Sequence, residues 1–192
     1  MPPITRAIVL TNVVVFLLQA TLGGQFSAML ALWPLHAGFM PWQLLTYAFV
    51  HGSVAHILFN MYGLYLFGSE IERRWGERRF LNYYMICVLS AGLAQLVVTT
   101  LSGTVYPTVG ASGGVFGVLM AYGLMFPTRM IVLLFPPIPM RAMTFVLVYG
   151  AIELFLGVTG TQEGVAHFAH LGGMLGGYLR YRRWTRPGSS RR

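Results

Sequence analysis

Apolar residues dominate six stretches of the chain, near residues 5–23, 53–71, 80–101, 111–126, 142–158 and 165–181, and the connections between them are more polar. Uninterrupted apolar runs of this kind predict membrane-spanning helices. The expected fold is therefore an all-α polytopic membrane protein, a bundle of six transmembrane helices. Several runs are short for a hydrocarbon core of about 30 Å, which needs roughly 20 residues. Short spans imply local thinning of the bilayer or helix ends that stop below its surface, each at a modest energetic cost.

Charge sets the expected orientation. Every cationic residue is an arginine, placed at the start of the first run (Arg6), between the second and third (Arg73, Arg74, Arg78, Arg79), between the fourth and fifth (Arg129, Arg141), or from the end of the sixth onward (Arg180 to Arg192). The opposite connections, 24–52, 102–110 and 159–164, contain none. By the positive-inside rule this alternation puts both termini in the cytoplasm, and an odd number of spans would break it. Composition agrees: 192 residues, 56% hydrophobic and only 9% charged, with a mean hydropathy of +0.64, lie outside the range of soluble domains. The formal charge of +8 marks topology rather than nucleic-acid binding, because the arginines form no groove interleaved with aromatic residues.

The first run lacks a cleavage pattern followed by a soluble domain, so it is expected to be a retained span. No linker, repeat or low-complexity segment divides the chain, which predicts one domain over residues 1–181 and a basic cytoplasmic tail over 182–192. The Pro-rich stretch Phe135-Pro136-Pro137-Ile138-Pro139 falls in a cytoplasmic connection. Cys87, the only cysteine, excludes an intramolecular disulfide and a cysteine zinc cluster, and reads as a small buried apolar side chain. The 24–52 connection has no Asp, Glu, Lys or Arg but carries Trp33, Phe39, Trp42, Tyr47 and Phe49. Rings at that density favour the headgroup level and predict a loop lying partly in the outer leaflet. An ordinary extracellular loop with a few buried anchors is the alternative.

Chemistry enters through glycine. Gly110-Ala111-Ser112-Gly113-Gly114-Val115-Phe116-Gly117 opens the fourth run, and His167-Phe168-Ala169-His170-Leu171-Gly172-Gly173 opens the sixth. Both runs enter from the outer side, so Ser112 and His170 are expected at similar depth, His170 about 7 Å below a start at residue 165. Gly113 and Gly117 form one small-residue stripe, and His170, Gly173 and Gly177 share another; such spacing lets helices approach closely. Ser112 can then reach an imidazole, as a nucleophile reaches its base. His56 and Asn60, four residues apart in the first two turns of the second run, add polar groups at the same level. Backbone N–H groups at the start of the Ser112 helix lack helical partners, so a set of oxyanion donors is available for acyl transfer. The chain has no aspartate, which excludes a Ser-His-Asp triad. Glu153 and Glu163 remain candidate orienters, although nothing in their spacing puts either beside His170, and a Ser112–His170 dyad is the simpler expectation. Glu153 is expected to be an interior, hydrogen-bonded residue, His36 and His51 structural or interfacial, and His167 a weaker candidate base than His170.

His51-Gly52-Ser53-Val54-Ala55-His56-Ile57-Leu58-Phe59-Asn60-Met61, Gly110-Ala111-Ser112-Gly113 and Ala166-His167-Phe168-Ala169-His170-Leu171-Gly172-Gly173 together resemble the rhomboid intramembrane proteases. The resemblance extends over almost the whole chain, including Glu72-Arg73-Arg74-Trp75-Gly76. It implies that Ser112 is the nucleophile, His170 the general base and acid, and His56 with Asn60 the side chains that hold the oxyanion. It also implies no metal or organic cofactor, a location as an integral protein of a prokaryotic cell (inner) membrane, and a transmembrane protein substrate cut near its outer end. Phe116 suits the aromatic position packed against the catalytic histidine. Two departures stand out. Gln43 follows Trp42 where many members have arginine, so that arginine's loop hydrogen bonds are expected to be missing. Gly114 stands where a slightly larger residue is common, which is expected to loosen the helix start.

Other readings have less in their favour. A metal-dependent protease using Glu163, His167, His170 and His56 lacks the His-Glu-x-x-His spacing of a zincin helix. A catalytically silent, client-binding relative needs neither Ser112 nor His170. A transporter is expected to show inverted repeats and helices broken at midplane.

Overall fold

A computed structural model of the chain describes residues 1–132, 137–160 and 166–185. Glu163 and residues 186–192 of the expected tail lie outside the described residues. The described chain is mostly helical. Helix α1 (Pro3–Leu22) leads into the short α2 (Gly24–Leu30), and after a loop comes α3 (Gln43–Thr46) with a 3-10 turn (Tyr47–Phe49). Helix α4 (Val54–Gly63) runs through a π-helical turn (Leu64–Gly68) into α5 (Ser69–Trp75). Then follow α6 (Glu77–Ser102), α7 (Ser112–Met125), a hairpin of β1 (Met130–Val132) and β2 (Pro139–Arg141), α8 (Ala142–Thr159) and α9 (His167–Thr185). Each apolar run in the sequence thus coincides with a helix or a continuous helical pair. Arg182 and Arg183, expected in the tail, fall instead on the last turn of α9.

Among the described residues three helices, α1, α6 and α8, are long and apolar enough to cross a membrane on their own. Gln43–Phe49 and Val54–Trp75 make a fourth candidate if the pair counts as one span, bent by 99° at the break between them. Large apolar side chains such as Leu17, Leu58, Val97, Phe155 and Leu179 face outward, as a lipid-facing surface requires and a water-facing one discourages.

Helices α6, α7 and α9 pack as the inner set, and glycine makes their contact possible. A Cβ on Gly173 would overlap the Gly113 carbonyl oxygen, and one on Gly117 would overlap Cys87 of α6. The buried Cys87 thus fills the space that Gly117 leaves. Gly114 does not loosen the start of α7, contrary to expectation. An added Cβ there would meet the Tyr84 ring at 2.6 Å, so the ring fills the space beside the glycine. Tyrosine hydroxyls complete the set: Tyr83 donates to the Gly117 carbonyl at 2.8 Å and Tyr47 to the Val88 carbonyl at 2.7 Å.

The ends of this apolar body are tied by buried polar groups. At one end Glu72 accepts from the Ile4 and Thr5 backbone N–H groups at 2.8 and 2.7 Å and from the Thr5 hydroxyl at 2.6 Å, satisfying orphan donors at the start of α1. At the other end Gln19 of α1 holds residue 51 on both sides, donating to the His51 carbonyl at 3.2 Å and accepting from its N–H at 3.0 Å. The 24–52 connection is more ordered than an open loop. Leu32 and Thr108 pair through backbone bonds of 2.9 and 2.8 Å, and Tyr47, Ala48, Val50 and His51 are buried while Trp42 is exposed. Gln43 gives the connection hydrogen bonds of its own, of a kind an arginine could not make: buried, its side-chain oxygen accepts from the N–H groups of Trp33 and Met40, both at 3.1 Å.

Gln43→Ala leaves both of those N–H groups without their acceptor, a loss of about 1–3 kcal/mol when the site stays buried. Hydrogen exchange followed by mass spectrometry is expected to show faster exchange across 33–40 and little change in α6. Unchanged exchange in that segment would mean that Gln43 does not hold the loop.

Candidate active site

Local folding delivers each polar residue to one place. Ser53 caps α4, its hydroxyl accepting from the His56 N–H at 3.1 Å, which starts the helix so that His56 and Asn60 follow on one face. Gly110 precedes α7 with φ +121°, a conformation open to glycine and strained for other residues. Its N–H is held by the Tyr47 carbonyl at 2.9 Å. A Cβ on Gly110 would come 2.6 Å from His56 Nε2, while the Ser112 Oγ lies 3.6 Å from the same point. The imidazole of His56 and the hydroxyl of Ser112 therefore flank Gly110. Ser112 is the first residue of α7, whose N-terminal N–H groups have no side-chain cap.

On the other side, α9 begins at His167, placing His170 within its first turn. His170 Nε2 lies 2.7 Å from Ser112 Oγ. The Phe116 ring lies flat on the imidazole, centroids 4.4 Å apart and 5° from parallel, so the ring plane is fixed by packing. His167 makes no hydrogen bond to Ser112: its Nδ1 is turned toward Glu153 of α8, and its Nε2 has no hydrogen-bond partner among the described residues.

Glu153 is the interior, hydrogen-bonded residue expected, but its partners were not indicated by the sequence. Nothing in its spacing puts it beside His170, yet its Oε2 lies 2.8 Å from His170 Nδ1 and 2.7 Å from His167 Nδ1. Gly150 and Gly157, three before and four after it, face Met174 and Phe168 of α9 at 3.2 and 3.1 Å from an added Cβ, so α8 closes on α9 above and below the carboxyl group. The spacing Gly150-x-x-Glu153-x-x-x-Gly157 was the signal available in the sequence, the same small-residue seam that marks α7 and α9.

Ser112, His170, His56 and Asn60 line one cavity of about 670 Å³ that also reaches Phe116 and Tyr149. Asn60 is buried and spends one amide N–H on the His56 carbonyl at 3.0 Å, leaving the other to donate. His51 is not part of this wall; it packs edge-on against His56 with centroids 5.0 Å apart. His36, on the surface of the 24–52 connection, is exposed. Among the described residues, Glu153, His167 and His170 are the group whose ligand atoms, all within 4.8 Å of one another, could take a metal ion. His56 is not among them, and Glu163, the remaining residue of the metal set considered from sequence, lies outside the described residues.

A rhomboid domain model matches residues 38–182. The chain belongs to the rhomboid family. Among characterised relatives, the chain is 31% identical over 143 residues to the rhomboid protease GluP of Bacillus subtilis, covering 72% of this chain and 25% of that protein. It is 36% identical over 122 residues to the rhomboid protease GlpG of Klebsiella pneumoniae, covering 62% and 42%. RHOMBOID-like protein 4 of Arabidopsis thaliana is 34% identical over 138 residues, covering 72% and 32%. The matched part is thus less than half the length of each of these relatives. Family membership and the apolar helices make the chain an integral membrane protein.

Proposed function

We propose that this rhomboid-family chain is an intramembrane serine endopeptidase, with Ser112 as nucleophile and His170 as general base and then general acid. The observation that carries the reading is the 2.7 Å contact between Ser112 Oγ and His170 Nε2 on the wall of a cavity at the start of α7. Ser112 attacks a peptide carbonyl while His170 takes the hydroxyl proton. The tetrahedral oxyanion forms among the uncapped N–H groups of α7, His56 and Asn60. Its collapse gives an acyl-enzyme, His170 returns the proton to the leaving amine, and water activated by His170 releases the acyl group.

The proposed topology has six spans, α1, α4–α5, α6, α7, α8 and α9, with both termini cytoplasmic, in one catalytic domain over 1–181. The arginine pattern supports the orientation. It puts the site near the outer surface of the bilayer, and the bacterial relatives support a prokaryotic cell membrane as its location. The substrate is a transmembrane protein segment. Because a helix in hydrocarbon already satisfies its own amides, its backbone must unwind before a carbonyl reaches Ser112, and unwinding in lipid costs several kcal/mol for each unsatisfied group. Segments weakened by Gly or Pro near their outer end therefore suit the site best.

In detergent or liposomes, Ser112→Ala and His170→Ala are each expected to abolish cleavage of a transmembrane substrate while the protein stays folded, and Ser112→Ala to abolish labelling by a fluorophosphonate probe. Cleavage that survives Ser112→Ala, or wild-type activity lost to a metal chelator, would overturn the reading.

His56→Ala and Asn60→Ala are expected to lower kcat with smaller effects on KM, because an oxyanion contact strengthens in the transition state. The loss for each is on the order of 100-fold where the remaining donors do not compensate. Steady-state kinetics of both variants checks this, and an unchanged kcat in both removes them from the oxyanion site.

Moving a Gly-Pro pair stepwise along a model substrate helix, with cleavage mapped by mass spectrometry, is expected to give most cutting when the pair lies near the outer end. Equal cutting of a uniform polyleucine span, or cuts near its cytoplasmic end, would contradict the proposed topology or mechanism.

A further inference from the structure

Glu153 sits in a helix whose neighbours Ile152, Leu154 and Phe155 are exposed apolar residues, yet it is itself only 8% exposed. A carboxyl group in such a helix is costly unless it is turned inward and hydrogen-bonded. Here it is turned onto two imidazoles, one of them His170. Both contacts go to the same oxygen, Oε2, and both come from Nδ1 atoms, at 2.7 and 2.8 Å. One oxygen accepts from two ring N–H groups when it carries no proton itself and both Nδ1 atoms carry theirs, an arrangement that a carboxylate provides. A protonated Oε2 could instead donate to only one of the rings.

That proton count determines what His170 can do. With its proton on Nδ1, a neutral imidazole presents a bare lone pair at Nε2, and Nε2 is the atom facing Ser112 Oγ. The other tautomer would point an N–H at the hydroxyl and could not take its proton. Phe116 fixes the plane of the ring but, lying flat on its face, leaves the choice of nitrogen open. Glu153 Oε2, 2.8 Å from Nδ1, is the group placed to make that choice and, as a carboxylate, to offset the imidazolium formed when His170 accepts the proton.

We propose that Glu153 is the positioning residue for the base, so that this chain uses a Ser112–His170–Glu153 triad rather than a two-residue dyad. The proposal rests on Ser112 and His170 acting as argued above. His167 is the second donor that steadies the carboxylate, and Gly150 and Gly157 allow α8 close enough for the short reach.

The test compares wild type, Glu153→Gln, Glu153→Ala and Ser112→Ala in detergent. Glu153→Gln keeps side-chain shape and loses the charge. It is expected to lower kcat by about 100-fold to 10,000-fold, by analogy with carboxylates that orient a catalytic histidine, with KM changed by less than about threefold, since a positioning residue acts on the chemical step rather than on substrate binding. The fluorophosphonate labelling rate of Ser112 is expected to fall in parallel, a readout that needs no substrate helix. Nitrogen-15 NMR of labelled histidine in the Ser112→Ala background reads the tautomer without any activity. His170 is expected to carry its proton on Nδ1 when Glu153 is present and to shift toward Nε2 in Glu153→Gln. Wild-type kcat and labelling rate in Glu153→Gln, or an unchanged His170 tautomer, overturns the proposal. Failure of the Ser112–His170 reading looks different: cleavage then persists in Ser112→Ala whatever stands at 153.

Discussion

The close approach of α7 and α9 is the constraint on which the rest depends. Where a Cβ at Gly173 would overlap the backbone oxygen of Gly113, the two helices meet with almost nothing between them. A serine side chain is two atoms long beyond Cα, so only such an approach lets Ser112 at the start of one helix touch an imidazole on the other. Helix α6 supports both from behind, with Ala91 against Gly113, Cys87 against Gly117 and Tyr83 against Gly177. In lipid, where hydrophobic burial offers little drive for helices to associate, dispersion contacts of this density and interhelical hydrogen bonds such as Tyr83 to Gly117 supply the cohesion. The same glycines that make the body cohere therefore assemble the contact between Ser112 and His170.

Several polar side chains of this apolar body hold backbone groups where the chain turns. Glu72 closes the start of α1, Gln19 ties α1 to the turn before α4, and Gln43 closes the loop beneath Trp33 and Met40. Each sits where chain direction changes and backbone donors would otherwise go unpaired. Glu153 differs from them. It joins side chains rather than backbone, within a helix rather than at its end, and one of its two partners is the histidine that touches Ser112.

The helices were legible because an apolar run of this length has to form a helix if it is to satisfy its backbone in lipid. Ser112 and His170 were legible because a serine and a histidine each stood at the mouth of a glycine seam. Glu153 was not, although Gly150 and Gly157 flank it at the same spacing. A lone carboxyl group in an apolar run identifies the inside of the bundle but not which neighbour it meets, since that depends on the rotation of α8 about its own axis. The role of Gln43 is hidden for a related reason. Its amide oxygen orders the loop because the groups to be satisfied are backbone N–H donors, from which a guanidinium could not accept, and their nature is not visible in sequence. The β1–β2 hairpin and the π-helical turn at Leu64–Gly68 likewise reflect tertiary fit, including the contact of Phe67 with Tyr122 at 4.9 Å.

Stability and chemistry pull in opposite directions here. Dense helix packing excludes water and strengthens electrostatic interactions, yet the proposed hydrolysis would consume a water molecule and an unwound substrate would need hydrogen-bonding partners. The arrangement of this chain separates the two demands along the bundle. Glycine contacts are tightest along the seam from Gly113 and Gly173 to Gly117 and Gly177, whereas Ser112 and His170 stand at the seam's open end against a cavity bordered by His56, Asn60 and the turn at Gly110. A helix start is also where unpaired N–H groups are available. The contact between Ser112 and His170 therefore lies at the mouth of the seam, where the N–H groups that open α7 lack intrahelical partners, whereas a serine one turn deeper would lie among intrahelical hydrogen bonds.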